Sequence, residues 1–299
     1  MSKPFHHFIP RVFLLNFTHG ETENLWFYKE RKPHPQRNGV EQKAELRNLK
    51  TIFGKRGLNT YTKFNGNETE EVEAFLADKF ENFWKPALQD LINCRNEQDV
   101  DEIDEKHFKL IRLIFLSLLR RSPESLGRTK LRDAEVSEAS LKKAISELEM
   151  EGEFIEEDKE IFLNPKERKR ITREVSVSWI ISPPNPQLWM HFRMSHLSIQ
   201  KTSYTSDPLL ISSNPILFYR SDNRYRTMMD MILPISSRHL LTLSSIQPLR
   251  KFSTLKNDRV IEINKRLSKQ SSAIASNNKR VTTQNKKFVM PWSEKLIWK

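Results

Sequence analysis

One cysteine, Cys94, is all that the 299 residues contain. It can close no internal disulfide and has no second thiolate with which to share a metal, so disulfide scaffolds, zinc ribbons and zinc fingers are excluded. Glycine is nearly as scarce. Seven residues leave no G-x-G-x-x-G and no G-x-x-x-x-G-K-[ST], which removes the two common nucleotide cradles. Long hydrophobic runs are missing too: the longest, Leu110 to Leu119, is interrupted by Arg112 and falls far short of the roughly 20 residues a membrane span needs. The opening Met1-Ser-Lys-Pro-Phe-His-His lacks the charged, apolar, small-residue order of an export signal, so a cytoplasmic location is the expectation.

What the chain has in excess is positive charge, a formal net +12. The excess is lopsided. From Lys166 onward there are 24 lysines and arginines against 8 acids, a net +16, which leaves 26 against 30 and a net −4 in the first 165 residues. Uncompensated cations of that number attract polyanions through counterion release, which makes nucleic acid the first partner to expect and an acidic protein the second.

The pattern of residues divides at the same place. Pro10 to Phe17 reads as a short helix and Leu25 to Tyr28 as a strand, with residues 29 to 66 an irregular connection. Asn67 and Glu70 have capping-box spacing ahead of an apolar stripe running from Val72 through Phe75, Phe83 and Trp84 to Ile92, kinked at Pro86. A second long helix is expected over Asp99 to Arg121, apolar nearly all round and therefore central, ended by Ser122-Pro123. Ser137 to Met150 reads as a third helix, followed by a small hairpin at Phe154-Ile155 and Ile161 to Leu163. Beyond the basic joint at Lys166 to Arg170 the period changes from 3.6 to 2. Strands are expected at Val175 to Ile181, Met190 to Met194, Leu209 to Ile211, Ile216 to Tyr219, Met231 to Ile235 and Leu240 to Leu243, then a closing helix from Asp258 to about Ala275. The result is an α+β fold: a helical, slightly acidic part (1–165) packed on a basic, mostly antiparallel β-sheet region (166–299) with a C-terminal helix and tail.

Several landmarks fall in a recognisable order. His6-His-Phe-Ile-Pro10 is followed by Phe13 to Phe17, then Leu25-Trp-Phe-Tyr28, Glu81, Leu116-Ser-Leu-Leu-Arg-Arg-Ser-Pro123, Leu210-Ile-Ser-Ser-Asn-Pro-Ile216, Ile232-Leu-Pro-Ile-Ser236 and the helix from Asn264. As an ordered set over roughly residues 6 to 282 they resemble the bacterial family known as domain of unknown function 4238, whose signature opens His-His-Tyr-x-Pro. One position departs from that resemblance: the acid in the family's Ser-Asp-Asn-Pro box is Ser213 here. The resemblance implies no reaction.

For chemistry, His6 and His7 are adjacent and project to different sides of any regular element, so at most one faces a site, where its imidazole can serve as acid or base near neutral pH. One enzymatic reading places His6 or His7 beside Glu81, with Arg120 or Arg121 neutralising a phosphate during phosphodiester cleavage, with a divalent metal as the conceivable cofactor. The plainer reading is a packed histidine pair, a surface acid and a basic helix end. Ser212, Ser213, Asn214 and Pro215 form a polar turn between apolar pieces and read first as structural. Tyr219, Arg220, Arg224, Tyr225 and Arg226 interleave rings with guanidinium groups, a mixture that can stack bases and hold phosphates or simply make an exposed loop. His191, His196 and His239 match no metal spacing. The expected function is therefore nucleic-acid binding with phosphodiesterase (nuclease) activity, in bacterial defence or a mobile element; the alternative is a non-enzymatic module that binds an acidic protein.

Overall fold

The computed structural model describes residues 4–19, 22–30, 42–58, 60–62, 68–122, 186–220 and 229–289, with Ser146 and Asn164 singly between them. The first strand, β1 (Phe5–His7), leads through Pro10 into α1 (Arg11–Leu14) and a 3-10 turn, Leu15–Phe17. Pro10 stands just ahead of the first helical residue, where its missing N–H costs nothing. Next come β2 (Asn24–Lys29), β3 (Glu45–Asn48), β4 (Gly54–Arg56), β5 (Tyr61–Thr62) and β6 (Glu68–Thr69). The connection expected to be irregular from 29 to 66 thus contains strands. They escape period-2 reading because β3 is exposed at Glu45, Leu46 and Arg47 and is held as an edge by its backbone pairing to β2.

Helix α2 (Glu71–Leu76) passes through a π-type segment, Ala77–Glu81, into α3 (Asn82–Asn93). The expected Asn67 cap lies outside the described residues. Glu70 occupies the cap position without a side-chain bond, and Thr69 Oγ1 accepts the Glu71 N–H instead. Pro86 stands inside α3, and the irregularity falls one turn earlier, ending at Glu81 just before Asn82, whose carbonyl Pro86 cannot bond. Trp84, Leu88 and Leu91 are buried as the stripe requires, whereas Phe75 and Phe83 are exposed.

Helix α4 (Glu97–Arg121) is capped by the Asn96 side chain, which accepts from the Asp99 N–H, and is buried along Ile111 to Leu118 apart from the half-buried Leu113. Each of those fully buried apolar side chains contributes about 1.5–3 kcal/mol. Arg112, which interrupts the apolar run, is fully buried: it pairs with Asp104 and donates to the carbonyls of Phe192 and Ser195, binding α4 to the second part of the chain.

The expected Met190 to Met194 strand is a helix, α5 (Pro186–Arg193), with Pro186 at its first position, Phe192 buried, and Met190 and Met194 exposed. It is followed by β7 (His196–Thr202), β8 (Ile211–Ser212), β9 (Leu217–Arg220), β10 (Met229–Pro234), β11 (His239–Ser244) and β12 (Phe252–Leu255). The closing helix, α6 (Asn257–Lys269), ends sooner than expected. Ser271 and Ser272 lead instead into β13 (Ala273–Ser276), then α7 (Lys279–Asn285) and a 3-10 turn, Lys286–Phe288. The Ser137 to Met150 helix (Ser146 apart), the 154–163 hairpin, the 166–170 joint and the Val175 to Ile181 strand lie outside the described residues.

Two larger sheets organise these elements. One runs β12-β7-β11-β10-β9, antiparallel except for the parallel β12–β7 pair. The other runs β3-β2-β13-β8 and interleaves strands from both ends of the sequence. The class is α+β with mostly antiparallel sheets, as expected, although the earlier part also carries short strands. The main core joins α1, α3 and α4 to the inner faces of both sheets, and a second core lies beneath α6. Among the described residues no helix is long and apolar enough to cross a membrane.

Candidate functional site

Strand β1 pairs antiparallel with β4, setting His6 opposite Lys55 and His7 opposite Gly54. The pairing demands glycine at 54, because a Cβ there would lie 2.5 Å from the His6 carbonyl oxygen. Alternation along the strand then separates the two histidines. His6 turns inward and is 2% exposed, with Nε2 3.9 Å from Glu70 Oε1, while His7 is half-buried.

His7 Nε2 lies 3.0 Å from the Leu49 carbonyl oxygen. A carbonyl can only accept, so Nε2 carries the proton and Nδ1 of the neutral ring keeps its lone pair. Burial pushes the imidazole below its ordinary value, and the Arg121 charge adds to this. The Leu49 bond and the charges of Glu73 and Glu81 pull the other way without reversing it. His7 is thus neutral at pH 7 beside two carboxylates.

Arg121, the last residue of α4, is 1% exposed. It donates to Glu81 Oε1 at 2.7 Å and to the His7 carbonyl at 2.6 Å, clamping together α4, the π-type segment and β1. Glu81 is three-quarters buried as a side chain. The structure therefore brings His7, Glu81 and Arg121 into one cluster, but the Arg121 guanidinium is spent on holding it. Arg120 is 3% exposed and burial lowers its pKa, so neither guanidinium is presented to a phosphate arriving from solvent.

The other sequence candidates stand elsewhere. In the Ser212 to Pro215 turn, Ser213 Oγ accepts from the Ser272 N–H at 3.0 Å and the Ser213 N–H donates to the Ala273 carbonyl. Ser212 Oγ and Gln270 Nε2 donate to the Asn214 carbonyl. These bonds lace the turn to the end of α6 and the start of β13, with Ser212 and Ser213 fully buried. Arg220 ends β9, and Arg224, Tyr225 and Arg226 lie outside the described residues. His196 and His239 occupy opposite ends of the β7–β11 ladder, facing Ser244 and Lys201, and His191 is on α5. Among the described residues no group of three or more His, Cys, Asp or Glu could hold a metal ion.

Three contributors to the His7 surroundings lie outside the residues that the sequence reading singles out. The Leu49 carbonyl is a backbone group and leaves no trace in sequence, and Glu73 looks like any exposed helix acid. Gly54 did carry a signal, since a lone glycine between Phe53 and Lys55 marks a close backbone approach.

An α+β protein with a histidine–carboxylate cluster clamped by a buried arginine is the class these observations define. Residues 6–286 match the family described as "Protein of unknown function (DUF4238)", and the chain belongs to that family. No curated protein and no solved structure matches the chain.

Proposed function

We propose that this chain binds nucleic acid and hydrolyses phosphodiester bonds with His7 as its general base. The observation that carries the reading is the neutral His7 imidazole, tied at Nε2 to Leu49 and open at Nδ1, beside Glu73 and Glu81. In the reaction, Nδ1 takes a proton from water as the water oxygen adds to phosphorus. The ester P–O bond breaks, and the proton passes from the imidazolium to the departing oxygen. The neighbouring carboxylates stabilise that transient imidazolium. They also repel an incoming phosphate, which is why a divalent cation arriving with the substrate belongs to the reading.

The test is incubation of labelled single- and double-stranded RNA and DNA with the full chain, in chelator, magnesium or manganese. His7→Gln retains an amide donor for the Leu49 carbonyl while removing the base. It is expected to lower the rate on the order of 100-fold or more with little change in melting temperature. The wild-type rate should decline on the acid side, below the ordinary histidine range. An inert wild type under every condition removes the hydrolysis and leaves binding to be judged separately; an undiminished His7→Gln enzyme moves the chemistry away from this cluster.

A further inference from the structure

Between Lys256 and Phe288 the chain carries nine lysines and arginines against only Asp258 and Glu262. The fold concentrates them. Helix α6 buries Val260, Ile263 and Leu267, which at 100° per residue sends Arg259, Lys265, Arg266 and Lys269 to the opposite side; the last three are exposed. Helix α7 and the 3-10 turn after it pack alongside α6, and Lys287 of that turn stands beside the α6 lysines.

Aromatic rings hold several of these charges in place. The Nζ atoms of Lys265 and Lys287 each lie 5.1 Å from the centre of the Phe288 ring, so ammonium groups from two elements share one aromatic support. On the other flank, the Arg259 and Arg266 guanidiniums sit 4.9 and 4.3 Å from the Tyr219 ring centre. Glu262 pairs with both arginines and is thereby used up. Lys256, Lys265, Lys269, Lys279 and Lys287 make no ion pair among the described residues.

We infer that the outer face of α6, together with α7 and the Phe288 turn, grips a nucleic-acid phosphate backbone without regard to base sequence. The inference rests on the nucleic-acid reading above and adds where the strand lies. Like charges fixed this close repel one another, and a run of phosphates relieves that repulsion while releasing its own counterions. Ring-held ammonium groups on a helix and an adjoining turn suit the regular charge of a nucleic-acid backbone better than the sparse, mobile carboxylates of an acidic peptide.

The experiment measures binding of the full chain to a short DNA duplex, an RNA duplex of the same sequence and polyglutamate, from about 50 to 200 mM salt. Lys265→Glu/Lys269→Glu/Lys287→Glu is compared with a control pair on the helical part, Lys85→Glu/Lys109→Glu, with melting curves confirming that both fold. For at least one duplex, affinity should fall on the order of tenfold or more in the triple variant, and its log–log salt slope should shrink by about 2 to 3, near one per lysine. The control should bind as wild type does. If wild type binds a duplex and the triple variant binds it equally well, the surface is wrong while the nucleic-acid reading stands. No wild-type binding to either duplex at low salt overturns both, and polyglutamate binding with equal affinity and slope overturns the nucleic-acid assignment.

Discussion

The His7 cluster and the α6–α7 face use charge in opposite ways. Around Arg121 each charge is buried and answered: the guanidinium meets a carboxylate and a carbonyl, and the result is three elements locked in register. On α6 and the Phe288 turn the ammonium groups of Lys265, Lys269 and Lys287 are exposed and, apart from aromatic rings, unanswered. Burial turns a charge into a positioning device that is costly to disturb, whereas exposure makes it cheap to alter and available to a partner. Formal net charge hides that distinction, since Arg120, Arg121 and Lys269 count alike in it.

The sharpest way to break the comparison is to delete one charge from each region. Arg121→Met leaves Glu81 and the His7 carbonyl without their donor, and a loss of about 3–5 kcal/mol is expected by chemical denaturation. Lys269→Ala should move stability by less than about 0.5 kcal/mol. Adding Glu81→Gln to Arg121→Met should recover part of the loss, because the stranded charge is gone. Equal effects of Arg121→Met and Lys269→Ala would erase the contrast.

His239 extends it to a buried group that stays neutral. Burial and the Lys201 charge push its imidazole down to about 4. Ser236 Oγ already accepts the His239 and Arg238 N–H groups, so its own proton goes to Nδ1. The folded pKa lies below the unfolded value near 6.5, so this contribution is intact above pH 6.5. It is lost as pH falls toward 4, where the unfolded chain takes up the proton first. The loss amounts to about 3 kcal/mol. His239→Asn keeps an acceptor for Ser236 and removes the titration, so its stability should vary less with pH between 6.5 and 4.

At Gly54 the expected effect is smaller than at Arg121, though larger than that of Lys269→Ala. Gly54→Ala forces β4 away from the His6 carbonyl, at a cost of about 1–3 kcal/mol and with a disturbed His7–Leu49 bond, visible as a shifted His7 titration by NMR. An unshifted titration with unchanged stability would mean the β1–β4 spacing is slack.

Where sequence pattern was rich, the fold could be read from it. Leu240 to Leu243 and the apolar run of α4 are long or alternating enough to leave one solution, and both lie where expected. Met190 to Met194 was not, because five residues with Phe192 at the centre satisfy a strand and a helix alike, and only Pro186 upstream distinguishes them. Ala273 to Ser276 was illegible for the opposite reason: with neighbours on both edges and all four residues buried, β13 has no polar side to reveal its period. At the site, the sequence points to His7, Glu81 and Arg121, but which arginine is consumed as a clamp depends on three elements meeting.

β13 also imposes an order of assembly. It lies between β2 and β8, so the sheet that β2 enters waits for residues 273–276, which are synthesised long after residues 24–29. During synthesis β2 keeps a bare inner edge, a template that another nascent chain could occupy in place of residues 273–276.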